Sequence, residues 1–312
     1  GPWVVESYRP GERVVLKRNP YFGEWNKDEA GNPLPYLDRY EIRIVKDVNA
    51  ALAEFLAGNI DIFNPSTVDH ISQIRQAVQQ GRLDATIKVN ASPVASSQFM
   101  VFNWNKASDP FKQSLFRSDK FRRAMSHLVN RQAVIDIVYG GLGTPMYSSV
   151  YPVLTQWINP KVPKYEYDPK QAAKLLAELG FTKKDREGYL VDSKGRRIEF
   201  NLATNAGNTQ REQIAKLIVD EAKKVGVKVN FQAIDFNTLV GQLLSSGPDR
   251  PFDAIIIGLT GGGLDWPFGS NVVPCKGNLH MWNKSGQCLD PRETLMEKLY
   301  YQGRTELDFK KR

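Results

Sequence analysis

The residues best suited to hold a ligand lie in one run, Gly258-Leu259-Thr260-Gly261-Gly262-Gly263-Leu264-Asp265-Trp266-Pro267. Asp265 offers a carboxylate, Trp266 an indole and Thr260 a hydroxyl. Gly262 and Gly263 leave backbone groups open to close approach. A carboxylate can pair with an ammonium, a flat ring can cover apolar surface, and free N–H and C=O groups can bond an extended chain. Burying an indole of about 200 Å² supplies at most about 5 kcal/mol before ordering costs. The competing reading of the run is a glycine turn with a capping aspartate and a packed tryptophan. A second candidate is Asn103-Trp104: Trp104 lines a cleft or packs in a core, and Asn103 contacts solute or holds backbone. Trp157 and Trp282 sit in loop-like contexts and are weaker candidates of the same kind.

Enzymatic patterns are missing. His70, His127 and His280 are the only histidines, and none stands in an HExxH motif or beside a cysteine nucleophile. No GxSxG elbow occurs, and the triple glycine is not followed by Gly-Lys-Ser/Thr. Cys275 and Cys288 are the only cysteines, and the intervening Gly277, Asn278, Asn283, Ser285 and Gly286 are loop chemistry. Their spacing excludes CxxC redox and zinc-pair motifs. A local disulfide in an oxidising compartment is one reading, with about 3 kcal/mol from loop closure; two buried free thiols are the other. No metal or cofactor is expected. The formal charge of +8 comes from basic residues spread in short pairs such as Lys183-Lys184 and Arg196-Arg197, with acids between them. That pattern is a solvated face rather than a nucleic-acid surface.

The elements that must carry these residues alternate in type. Trp3–Val5 and Val14–Leu16 flank a turn at Arg9–Glu12, and Tyr40–Val45 follows as a strand. Val48, Ala51, Leu52, Phe55 and Leu56 recur at helical spacing before Gly58. Strands are expected at Ile60–Phe63, Ala85–Val89 and Gln98–Phe102, with a helix over Thr67–Val78 between. Helices follow over Phe121–Val138 and from Asp168-Pro169 to Leu179, then a hairpin around Ser193–Gly195. Thr209 with Glu212 predicts a capping box for a helix reaching Val225. Val227–Phe231 is the next strand, Phe236–Leu244 a helix, and Ala254–Ile257 an apolar strand buried on both faces. At 312 residues this alternation predicts two α/β lobes with mixed sheets, and ligands collect at the carboxyl ends of such strands.

Several segments taken in order resemble the bacterial extracellular solute-binding proteins of family 5, the peptide/nickel receptors of ABC importers. These are Gly1-Pro2-Trp3, Pro10-Gly11-Glu12, Leu16-Lys17-Arg18-Asn19-Pro20-Tyr21-Phe22, Leu34-Pro35-Tyr36-Leu37-Asp38, Gly58-Asn59-Ile60-Asp61-Ile62, Phe102-Asn103-Trp104, Asp109-Pro110-Phe111, Arg122-Arg123-Ala124-Met125, Asn130-Arg131 and Gly226-Val227-Lys228-Val229. The resemblance implies a type II periplasmic-binding-protein fold, a bilobal clamp that closes on a peptide or similar solute. It further implies delivery to a membrane permease, an extracytoplasmic location that is periplasmic or on the cell surface, and a monomer. Residues 1–94 would be part of the first lobe and 95–312 most of the second, in a chain cut at both ends. Dipeptide-binding members place an aspartate in the glycine-rich loop to hold the ligand ammonium. The matching position here is Gly262, with Asp265 a few residues on, a departure that puts ordinary dipeptide recognition in doubt. The alternative function, from another class, is a secreted hydrolase of glycans or peptides with a site centred on Asp265.

Overall fold

The computed structural model describes residues 1–65, 67–88, 96–260 and 269–312. The chain forms two compact units, Gly1–Phe63 and Asn64–Arg312. The expected lobe boundary at residue 94 falls outside the described residues.

The first unit is an antiparallel meander, β1 (Trp3–Arg9), β2 (Arg13–Arg18) and β3 (Arg39–Arg43), followed by helix α1 (Val48–Leu56). Asp47 caps α1, accepting from the amides of Asn49 and Ala50. Only Val15 and Leu52 of its apolar side chains are deeply buried, while Val4, Val5, Tyr8, Tyr40 and Ile42 stand exposed. Ile60–Phe63 does not form the expected strand: Ile62 is exposed, and Phe63 packs on Phe55 of α1 instead of entering a ladder.

The second unit opens with α2 (Val68–Gln79); the described part of the expected strand after it, Ala85–Lys88, is irregular. Then come β4 (Ser96–Phe102) and helices α3 (Pro110–Arg117), α4 (Asp119–Leu128), α5 (Arg131–Tyr139) and α6 (Pro169–Glu178). A short ribbon, β5 (Lys183–Lys184) with β6 (Leu190–Val191), leads into β7 (Glu199–Asn205), α7 (Thr209–Val225), β8 (Lys228–Ile234), α8 (Phe236–Leu244) and β9 (Ala254–Thr260). The chain finishes in α9 (Pro291–Thr305). No helix among the described residues is long and apolar enough to cross a membrane.

The main sheet has the order β4-β9-β7-β8, with β9, β7 and β8 parallel and β4 antiparallel beside β9. Strand residues alternate between two cores, as a two-sided sheet requires. Phe102, Phe200, Leu202, Ala254 and Ile256 meet α3, α4, α6 and α7 on one face through Phe116, Phe121, Leu176 and Ile218. Val101, Ala203, Ile255 and Ile257 meet Leu239 and Leu243 of α8 on the other. Sequence and structure differ at one cap: Asn208, not Thr209, caps α7 by accepting from the Arg211 amide, while Glu212 accepts from Gly207. The amide side chain of Asn208 takes the capping role, so the helix begins one residue earlier than the Thr209 reading allows.

Candidate functional site

The carboxyl ends of β7, β8 and β9 share one edge of the sheet, and the antiparallel β4 starts there, with Ser96 paired to Thr260. Thr260 is exposed and is the last residue of β9. Four of the predicted site residues, Gly262, Gly263, Asp265 and Trp266, lie outside the described residues; the chain leads to them from this edge.

The charged centre of the edge is Arg211, in the first turn of α7. Its Nε donates to Gln98 Oε1 at 2.9 Å and its Nη1 to Asn205 Oδ1 at 2.7 Å. Both partners are neutral, and no carboxylate among the described residues pairs with it. The half-buried guanidinium is pushed below the ordinary arginine pKa by desolvation, against a small opposing effect of Tyr139. A cation in the first turn also opposes the helix dipole. Nη2 is left over. The guanidinium lies against Gly258, where a Cβ would stand 2.9 Å from Nη2, 2.9 Å from Gln98 Nε2 and 2.6 Å from the Ser97 carbonyl. Glycine is needed there because backbone and a fixed cation fill the space a side chain would take.

The neighbouring carbonyl of Leu259 accepts from Tyr151 Oη at 2.8 Å and from Ser97 Oγ at 3.2 Å, which fixes the end of β9. Spare, preorganised guanidinium donors beside a helix N-terminus suit a carboxylate or phosphate arriving from outside. Sequence reasoning missed Arg211. The signal available was a lone arginine three residues after a helix cap, with no acidic residue four positions on.

Asn103 and Trp104 sit at the opposite end of the sheet. Asn103 is fully buried; its Nδ2 donates to the carbonyls of Phe252 (2.8 Å) and Arg250 (3.2 Å), and its Oδ1 accepts from the Asn105 amide (2.9 Å). It therefore holds backbone, the other of the two roles its sequence context allows. Trp104 is buried edge-on to Trp282 at 6.5 Å, with Arg122 4.7 Å over its ring, and its Nε1 has no hydrogen-bond partner. Trp282 gives its own Nε1 proton to Glu293 at 2.6 Å, so it too is committed within the protein.

The rest of that end is a dense polar network, in which the buried Arg250 Nε is left without a partner. Asp253 takes Lys112 Nζ at 2.7 Å, Lys106 Nζ at 3.2 Å and the Asn201 amide at 3.0 Å. Burial disfavours its ionised form, but these donors and charges overrule that and keep its carboxyl below the usual range. Arg250, 1% exposed, donates to the carbonyls of Met281 and Leu243 and stacks on Phe252 at 4.6 Å; desolvation lowers it to about 10. Glu293 accepts from His280, Trp282, Asn283 and the amides of Leu289 and Asp290. Cys275 and Cys288 are joined, closing a short loop with a sequence separation of 13.

Residues 1–277 match the family described as bacterial extracellular solute-binding proteins, family 5, middle. Over its whole length the chain is 53% identical to a probable ABC transporter-binding protein of Deinococcus radiodurans, of which it covers 54%. It is 30% identical to the oligopeptide-binding protein AppA of Bacillus subtilis over 83% of this chain and 43% of AppA. The structure of AppA in complex with a nonapeptide superposes with a TM-score of 0.73 and 25% identity, over 97% of this chain and 56% of that one. The stachyose complex of MelB from Agrobacterium fabrum shares the fold, with a TM-score of 0.73 at 22% identity, over 99% of this chain and 47% of MelB. The chain thus spans about half the length of the curated relatives it matches. Its mixed α/β sheets are those of the type II periplasmic binding proteins, and the chain belongs to family 5 of the bacterial extracellular solute-binding proteins.

Proposed function

We propose that the protein captures a solute for an ABC importer and that the solute carries an anionic group, in the first instance a peptide carboxylate, which docks on Arg211. The observation behind this reading is a half-buried guanidinium at the carboxyl edge of a parallel sheet, held by two neutral amides, with Nη2 uncommitted. Arg250, enclosed in the core, spends its Nη donors on carbonyls, whereas Arg211 is only half-buried and keeps a nitrogen to spare. An incoming carboxylate would supply the missing charge, through hydrogen bonds worth about 1.5–3 kcal/mol each.

Asp265, Trp266, Gly262 and Gly263 complete the proposed site from the stretch that follows Thr260, with Asp265 available for a ligand ammonium and Trp266 for apolar surface. In this reading residues 1–94 serve the first lobe and 95–312 the second, and the loaded receptor presents its solute to a membrane permease outside the cytoplasm. Relatives with this architecture bear the names of binding proteins, and the output proposed here is binding energy rather than bond chemistry.

The test uses the full-length protein. Solutes that co-purify are identified by mass spectrometry, and the best-bound peptide is compared by calorimetry with its C-terminal amide. The amide is expected to bind about 10- to 100-fold more weakly, in line with the loss of a charged hydrogen-bond pair, and Arg211→Ala should erase the difference. Equal affinity for acid and amide removes Arg211 from the site. Turnover of the bound solute would instead favour the hydrolase alternative.

A further inference from the structure

We propose that reduction of the Cys275–Cys288 bond opens a zinc site whose protein ligands are Cys275 Sγ, Cys288 Sγ and the Glu297 carboxylate. The inference is independent of the solute site. The donor atoms of these three residues already lie within 4.8 Å of one another in the oxidised protein. Glu297 is held in place from both sides: its Oε1 accepts from the Cys275 amide at 3.0 Å, and its Oε2 lies 3.6 Å from Cys288 Sγ. His280 and Glu293 also bring donor atoms within 4.8 Å of Cys275 Sγ. So the two sulfurs face carboxylates, and the nearest basic ring, His280, is already bonded to Glu293 at 3.0 Å.

That environment suits a covalent disulfide, which carries no charge. It does not suit two free thiolates, which would add negative charge beside Glu297 and Glu293. A divalent ion of borderline softness resolves the conflict, because thiolate and carboxylate are both zinc donors, and three protein ligands leave a fourth position for water. The ligands arrive from two elements. Both cysteines end the loop that α9 follows, and Glu297 lies on α9 two turns from its Asp290 cap. The capping box of Asp290 and Glu293 anchors that helix independently of the sulfur bond, so the third ligand stays in position after reduction.

The step balances with a dithiol reductant. A thiolate of the reductant attacks Cys288 Sγ, the more accessible sulfur, and Cys275 leaves as a thiolate. The second reductant sulfur then resolves the mixed disulfide and frees Cys288. Two electrons pass to the cysteines, the reductant becomes a disulfide, and zinc displaces whatever protons the two thiols hold.

The experiment compares oxidised full-chain protein with protein reduced by a dithiol and desalted without oxygen, each titrated with zinc(II) against a chromophoric chelator. The reduced form is expected to take up one equivalent that the oxidised form does not. Cys288→Ser should abolish this uptake. Reduced Glu297→Gln, which keeps both thiols, should bind on the order of 10–100-fold more weakly. Apart from the broad band of the disulfide itself, near-ultraviolet circular dichroism of the zinc-loaded reduced protein should keep the aromatic signal of the oxidised protein. Equal zinc uptake by the oxidised and reduced forms overturns the proposal. So does unchanged affinity in Glu297→Gln, or a lost aromatic signal, since either would mean that an opened chain holds the ion through its thiols alone.

Discussion

The two ends of the main sheet are built on opposite principles. At the amino end the buried acids and amides are matched inside the protein: Asp253 has two lysines and an amide, Asn103 has three backbone groups, and Glu293 has five donors, while only the single N–H groups of Trp104 Nε1 and Arg250 Nε lack partners among the described residues. At the carboxyl end Arg211 has two neutral partners, an unused nitrogen, and a glycine cleared beneath it. Saturated networks resist change and hold shape, whereas an uncompensated charge has binding capacity left over. Under the proposed function, the carboxyl end is the one that takes the solute.

Four measurements can break or sharpen this comparison. The largest effect is expected from Asp253→Ala, which strands Lys106 and Lys112 at a largely buried position. Denaturant unfolding should show a loss of about 3–5 kcal/mol. Next, Arg211→Ala should weaken binding of an anionic solute by about 2–4 kcal/mol while unfolding stability moves by less than about 1 kcal/mol. A large stability loss in that variant would make Arg211 another structural brace. Third, Gly258→Ala should cost about 1–3 kcal/mol, because its Cβ cannot be placed without moving Ser97 or Arg211; solute affinity should fall with it.

The smallest effect concerns acid. The Asp253 carboxyl sits below its ordinary 3.8, so its contribution is complete above that value and drains as pH falls through the lower folded-state value. Thermal unfolding of Asp253→Asn between about pH 5 and 2 should therefore show a shallower acid limb than the parent. Arg211→Ala should leave that limb unchanged, since an arginine does not titrate there.

The sequence displays much of the fold because its local signals agree with the tertiary packing. The apolar stretch Ala254–Ile257 is buried on both sides, Asp168-Pro169 does start a helix, and the strand–helix–strand–helix–strand order from Glu199 to Thr260 appears as expected. It fails where a strand needs a partner that local pattern cannot show. Ile60–Phe63 and Ala85–Lys88 alternate like strands yet join no ladder among the described residues. Helix α9 is not among the expected elements although Asp290-Pro291 with Glu293 spells its cap, since the turn residues between the cysteines run almost up to it. The proposed site is half legible. Glycine richness and Trp266 can be seen in a line of letters, but the isolation of Arg211 is a property of what surrounds it in space. Gln98 stands 113 positions away from it in sequence.

The pairing of β4 with β9 also carries a kinetic consequence. Met100 faces Ile256 across the ladder, so the edge strand is made long before the neighbour that covers it. At about 5–20 residues added per second, roughly 8–30 s of synthesis separate the two. Throughout that interval the nascent segment Phe99–Phe102 has no partner for its backbone, and a chain leaving the ribosome or a translocation pore must shield it from self-association until the final ladder closes.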